Sequence, residues 1–230
     1  MRKLYGIYGA GGFSREVIPL LIHKKDISKE DVCFVVDKEY LPSVQEKLLL
    51  LNDEKINDYN ILSYDKFRSI ETNQKYITIA ISDNNVRKEI YEKCSNDNIN
   101  HFSILSHNSC IMDKVNIGKG SIISPFVTLT SNISIGKSFH ANLYSYVAHD
   151  CKIGDYVTFA PAVKCNGNVI IEDNVYIGTG AIIKQGTPNK PIIIGKNAVI
   201  GAGSFVTKNV ESNTTVFGNP AKILNKNNIK

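Results

Sequence analysis

An apolar residue recurs at every sixth position from Leu105 to Ile183 without a slip of phase, through fourteen hexads. The series runs from Leu105, Ile111, Ile117 and Ile123 to Ile171, Ile177 and Ile183, and admits Ala141, Phe159 and Cys165 among its aliphatic members. Four positions further on, each hexad carries a second residue, usually small or β-branched, as at Val115, Ser121, Val127 and Val157. An α-helix cannot hold such a repeat on one face, because six residues rotate the stripe by about 240°. The hexad therefore predicts a parallel β-helix, in which each repeat supplies one short strand and one turn and three repeats close a coil. The period resumes out of phase at Ile194, Ile200 and Val206. Between lies Gln185–Pro191, whose Gly186, Pro188 and Pro191 mark a loop that inserts five residues into the solenoid.

The first hundred residues follow another pattern. An apolar run over residues 3–9 ends in Gly9-Ala10-Gly11-Gly12 and leads into helical spacing from Phe13 to Ile22. Val32–Val36 predicts a second strand closed by Asp37, Tyr76–Ile81 a third, and Asn84–Cys94 a helix opened by Ser82 and Asp83. Alternating strand and helix indicates a small parallel sheet, Rossmann-like, over residues 1–102, ahead of the β-helix over 103–230. In such a sheet Gly9, Gly11, Gly12, Asp37, Ser82 and Asp83 converge at the carboxyl ends of the strands, where ligands bind. The glycines would let a phosphate approach backbone N–H groups, and Asp37 would hold a ribose hydroxyl. The spacing is G-x-G-G, short of the full dinucleotide fingerprint, and a tight turn that needs positive φ explains the glycines as well.

Composition narrows the classes. Hydrophobic residues at 43% and charged residues at 21% describe an ordinary globular chain. The net charge of +5 comes from dispersed lysines, which gives no argument for nucleic acid and a weak one for an anionic ligand. No run reaches eighteen apolar residues, and the apolar stretch after Met1-Arg2-Lys3 is too short and too polar-flanked to read as a signal peptide, so a cytoplasmic protein without a membrane partner is expected. Five cysteines without C-x-x-C spacing fit a reducing compartment, and Cys151 and Cys165 fall on inward hexad positions.

One hexad carries chemistry. His149 and Asp150 place an imidazole beside a carboxylate near a turn, with Asn142 seven residues upstream. One coil of eighteen residues beyond His149 stands Gly167, and one coil further Gln185, next to Gly186 at the start of the inserted loop. A histidine over a glycine over a loop describes a groove along the solenoid axis. A surface His-Asp pair with no task is the alternative. His140 sits at a turn without an acidic neighbour, and His23, His101 and His107 have no constellation. No set of His, Cys, Asp and Glu has metal-ligand spacing, so no metal is expected.

Gly9-Ala10-Gly11-Gly12, Asn142, the run Tyr146 to Asp155, Ile200–Ser204 and Val216–Lys222 together resemble the hexapeptide-repeat sugar acyltransferases over nearly the whole chain. That family includes nucleotide-aminosugar N-acetyltransferases of bacterial glycan synthesis and proteins of the sialic acid O-acetyltransferase type. The resemblance implies a left-handed β-helix, a homotrimer and acetyl-CoA in the cleft between neighbouring solenoids. It implies pantetheine near Gly167, the nucleotide end of the cofactor toward Lys208, and a sugar amine meeting the thioester beside His149. There His149 would act as general base with Asp150 orienting the ring. The sequence departs from the family at Phe13-Ser14, where many members have histidine and glycine, and at the insertion. Three functions stay open: N-acetylation of a nucleotide-linked amino sugar, O-acetylation of a sugar such as a sialic acid, and a non-catalytic β-helix with an adsorbing face. The loop at Gln185–Pro191 either closes over the cofactor or is a tolerated excursion.

Overall fold

Five parallel strands form the sheet of the N-terminal unit, Met1–Ile104. The computed structural model describes residues 3–22, 27–50 and 55–224 of the chain. The strands β1 (Lys3–Tyr8), β2 (Val32–Val36), β3 (Asn60–Ser63), β4 (Gln74–Ile79) and β5 (Asn100–His101) lie in the order β3-β2-β1-β4-β5. The order reverses between β1 and β4, which opens the crevice of a doubly wound sheet. Helices α1 (Gly12–Val17), α2 (Pro19–Ile22), α3 (Leu41–Leu50), α4 (Tyr64–Ser69) and α5 (Asn84–Asn96) connect the strands. The single helix expected over residues 13–22 is broken, because Pro19 has no N–H to continue the first segment. Fully buried Arg87 donates to the carbonyls of Ile81 (2.9 Å) and Ser82 (3.3 Å), which fastens the loop after β4.

The second unit, Leu105–Lys230, is a left-handed parallel β-helix whose two- and three-residue strands form three sheets. Partners stand eighteen residues apart, as in Leu129 with Val147, Ile135 with Ile153 and Ala141 with Phe159. The inserted segment lengthens one coil to twenty-three residues, Val169 pairing with Ile192, and a later coil shrinks to sixteen, Ile200 pairing with Val216. The first-position apolar residues from Ile123 to Ile183 are buried, as the period predicts. Leu105 and Ile111 each remain 37% exposed, since the first coil has none before it to cover its end. His140 differs from expectation: it lies in the strand His140–Ala141 and is fully buried. Among the described residues no helix is long and apolar enough to cross a membrane.

The turns have a period of their own. A residue with positive φ occurs at every sixth position from Lys114 to Gly180, and only Gly120 and Gly180 among these are glycine. For side chains other than Asn and Asp this conformation costs about 1–2 kcal/mol. It persists because it aims each turn's N–H along the axis: Tyr156 donates to the Lys137 carbonyl and Ala162 to that of Leu143, both at 2.8 Å. At Gly180, with φ +70°, an added Cβ would meet nothing within 4 Å. Gly180→Ala should therefore lose about 1–2 kcal/mol through backbone strain alone, measured by urea denaturation, and Gly180→Asn should lose less.

Candidate active site

His149 follows the strand Tyr146–Val147 and precedes Asp150, the left-handed residue of that turn at φ +58°. Aspartate tolerates this backbone because its short side chain bonds locally. Its Oδ2 lies 2.7 Å from His149 Nδ1 and its Oδ1 accepts from Asn132 Nδ2 at 3.2 Å. A carboxylate only accepts, so the imidazole proton sits on Nδ1 and Nε2 is left with its lone pair. The bond from His149 holds the Asp150 carboxyl below the usual carboxylate range against an opposing desolvation, and the weaker bond from Asn132 adds to it. Both side chains are about half exposed, at 49% and 47%. The ring lies on Gly167, where a Cβ would come within 2.6 Å of Cε1 and 2.7 Å of Nε2. Glycine is required there by the imidazole itself. Asn132 was not foreseen; its signal is a position one coil before Asp150 on the same row of turns.

Gly167 accepts from the N–H of Gly186 at 2.9 Å, so the loop stacks on the row that carries His149. The loop is a hairpin closed by two Thr187–Lys190 backbone bonds, each 3.0 Å. Gln185, Gly186 and Lys208 line one cavity of about 570 Å³ with Lys184, Lys190 and Thr207. Three lysines and no acidic residue among its walls suit a phosphorylated ligand. Gly186 also has a packing reason, since a Cβ would overlap the Asn168 carbonyl. Asn142 stands apart: it follows His140–Ala141, one prism face before His149, and a single solenoid does not bring the two together. Cys151 turns inward, its Sγ 3.2 Å from the Asn166 carbonyl, and is 1% exposed.

In the N-terminal unit Gly9, Gly11 and Asp37 meet around a cavity of about 350 Å³, with Tyr8, Tyr40 and Val86. Only Gly9 fits the tight-turn reading, with φ +113° and a Cβ that would meet Ser14 Oγ at 2.7 Å. Gly11 and Gly12 have ordinary φ and nothing within 4 Å of an added Cβ, so local packing does not demand glycine there. Ser14 is structural, donating to the Ala80 carbonyl at 3.2 Å. Ser82 and Asp83 are absent from the cavity wall, for Asp83 caps α5 through the N–H groups of Asn85 and Val86. Asp37 is paired with Lys93 at 2.6 Å, a partner the sequence did not suggest. His101 stacks on Tyr91 at 3.5 Å, and His23 lies outside the described residues. Among the described residues no group of three His, Cys, Asp or Glu could hold a metal ion.

The PglD N-terminal domain family matches residues 6–94, and the hexapeptide repeat of succinyl-transferase matches residues 168–208. The chain is 47% identical over 222 residues to GDP-perosamine N-acetyltransferase of Escherichia coli O157:H7, spanning 96% of each. Among solved structures, WeeI from Acinetobacter baumannii AYE superposes with a TM-score of 0.88 at 51% identity, over 96% of this chain and 100% of that one. PerB from Caulobacter crescentus shares the fold, with a TM-score of 0.82 at 20% identity over 96% of this chain and 97% of its own. Full-length likeness at this level of identity, joined to the hexad solenoid and the PglD-type domain, makes the chain a member of the hexapeptide-repeat sugar N-acetyltransferase family.

Proposed function

We propose that the protein transfers the acetyl group of acetyl-CoA to the amino group of a nucleotide-linked amino sugar, directly and without an acyl-enzyme. The observation that carries this reading is the His149–Asp150 pair seated on Gly167, at the head of a lysine-lined groove. The amine nitrogen attacks the thioester carbon and the C–S bond breaks. Nε2 of His149 takes the proton the nitrogen loses, and Asp150 stabilises the imidazolium formed. The proton then passes to the departing sulfur. In this reading Lys184, Lys190 and Lys208, which line one cavity, hold the phosphates of the cofactor, and the cavity beside Gly9, Gly11 and Asp37 holds the nucleotide. The Escherichia coli relative acts on GDP-perosamine, and PerB was solved with CoA and GDP-perosamine, so a GDP-linked amino sugar is the first substrate to assay. Acyl transfer to an amine, rather than to the hydroxyl of a sialic acid type sugar, agrees with these relatives. The setting is the cytoplasm, which supplies acetyl-CoA and keeps unpaired cysteines reduced. Such chemistry serves surface glycan synthesis.

The assembly proposed is a homotrimer. His149 and Asn142 lie on successive edges of one prism, and a closed three-fold ring sets the His149 edge of one solenoid beside the Asn142 edge of the next. Sedimentation of the active enzyme should give three times the chain mass; an active monomer would contradict a shared site.

His149→Ala should keep its thermal midpoint and lose on the order of 10²–10⁴ in kcat, and Gly167→Ala, which displaces the ring, should lose activity without unfolding. Buried His140→Ala should show the reverse, a stability loss of about 1–3 kcal/mol with the chemistry retained in the folded fraction. Equal kcat losses at positions 149 and 140 would remove His149 from its role. Shortening Gln185–Pro191 by five residues, to restore the eighteen-residue coil, should raise KM for acetyl-CoA and spare that for the sugar. An unchanged KM for acetyl-CoA would leave the hairpin as a tolerated excursion.

A further inference from the structure

One wall of the cavity at the carboxyl ends of β1, β2 and β4 carries an aspartate whose ion pair, with a lysine just outside the lining, acetyl transfer does not use. Asp37 lines the cavity, and its Oδ1 takes Lys93 Nζ at 2.6 Å. Val86 and Ile90, which also line the cavity, share one face of α5 with Lys93 by their spacing. Lys93 stands 4.1 Å above the centre of the Tyr64 ring and donates to the Tyr8 hydroxyl at 3.4 Å, so of its three donors Asp37 and Tyr8 take two and one remains. A carboxylate offers about four acceptor sites. Lys93 and the Tyr8 hydroxyl, which also bonds Asp37, occupy two. Two remain beside an ammonium, at the side of a slot walled by Val36, Val44, Ile81, Val86 and Ile90. Tyr40, 60% exposed, stands among the lining residues.

Apolar walls with a hydrogen-bonding edge suit a flat heterocycle. We infer that Lys93 and Asp37 read the lactam edge of the substrate's nucleobase, Lys93 donating to the ring carbonyl and Asp37 accepting from the adjacent ring N–H. This rests on the nucleotide-sugar reading above and deepens it by naming the class of base. Guanine carries the edge as O6 and N1–H, uracil and thymine as O4 and N3–H. Adenine and cytosine carry its reverse, an amine beside a bare ring nitrogen, which would set donor against donor and lone pair against carboxylate. Guanine adds an exocyclic amine next to N1–H, a second donor for the acceptor site Asp37 still has, so it ranks ahead of uracil. Asp37 then faces the base and not the ribose hydroxyl.

The test is calorimetric titration of the full-length protein with GDP, UDP, ADP and CDP. The wild-type chain should bind GDP most tightly, then UDP, with ADP and CDP at least ~10-fold weaker, as mismatched polar edges require. Asp37→Asn replaces an acceptor with a donor. It should cost GDP at least ~10-fold while ADP and CDP hold or gain, so that the preference narrows or inverts. Lys93→Met, which keeps the stem and removes the donor, should weaken GDP and UDP and leave ADP unchanged. An unaltered ratio of GDP to ADP affinity in both variants would overturn the inference and leave the acetyltransferase reading intact. Failure of the wild-type chain to bind any of the four, together with no acetyl transfer to a GDP-linked amino sugar, would overturn that reading too.

Discussion

Each turn of the solenoid sends one backbone N–H along the axis to a carbonyl of the coil before, and the rest of the β-helix hangs on that bond. It fixes the height of every coil independently of the apolar filling. It also offsets the left-handed backbone of Phe126, Tyr144, Tyr156 and Ala162, each of which would otherwise avoid positive φ. A net contribution of about 0.5–1.5 kcal/mol per hydrogen bond is of the same size as that strain. The His149–Asp150 pair sits inside this ladder. Asp150 donates its N–H to the Ser131 carbonyl and the His149 carbonyl accepts from Asn168, both at 3.0 Å, so the main chain under the imidazole is held from below and from above.

Because rows are set by backbone, side chains on one row meet whatever their type. Asn132 reaches Asp150 this way, and Asn174, Asn197 and Asn213 bond in sequence at 2.8 Å each. The last of these contacts cross coils of altered length. A coil of twenty-three residues and one of sixteen both return to register; in the longer one the extra chain leaves as a hairpin at an edge, and loop closure depends only weakly on length.

What was legible in the sequence follows the same division. The hexads were legible because each inward residue must be apolar, and His149 with Asp150 because imidazole and carboxylate have few reasons to adjoin. The row of left-handed turns was not, for ten of its twelve residues from Lys114 to Gly180 are other than glycine and no one residue type marks it. His140 precedes an inward residue in its strand and would face out by alternation, yet it is buried. In the N-terminal unit β3 and β5 have four and two residues and lack an apolar run. The meeting of Asp37 with Lys93, fifty-six residues apart, depends on where α5 is laid beside β2, which local pattern does not encode. The glycines of the first turn read alike in sequence; φ and free space separate Gly9 from Gly11 and Gly12.

The seat of the imidazole on Gly167 has a consequence for where such a centre can stand. Its parts are a His-Asp pair, a glycine one coil ahead and an asparagine one coil behind, all on one row. A solenoid repeats that row at every coil, so placement in three dimensions becomes spacing along a line. Moving the centre down one step requires Ser131→His, Asn132→Asp, His149→Gly and Lys114→Asn, four changes on turns and none in the apolar prism. The pair with its seat thus forms a cassette whose parts repeat in units of eighteen residues, and its distance from the Gln185–Pro191 hairpin is set in whole coils while the scaffold stays the same.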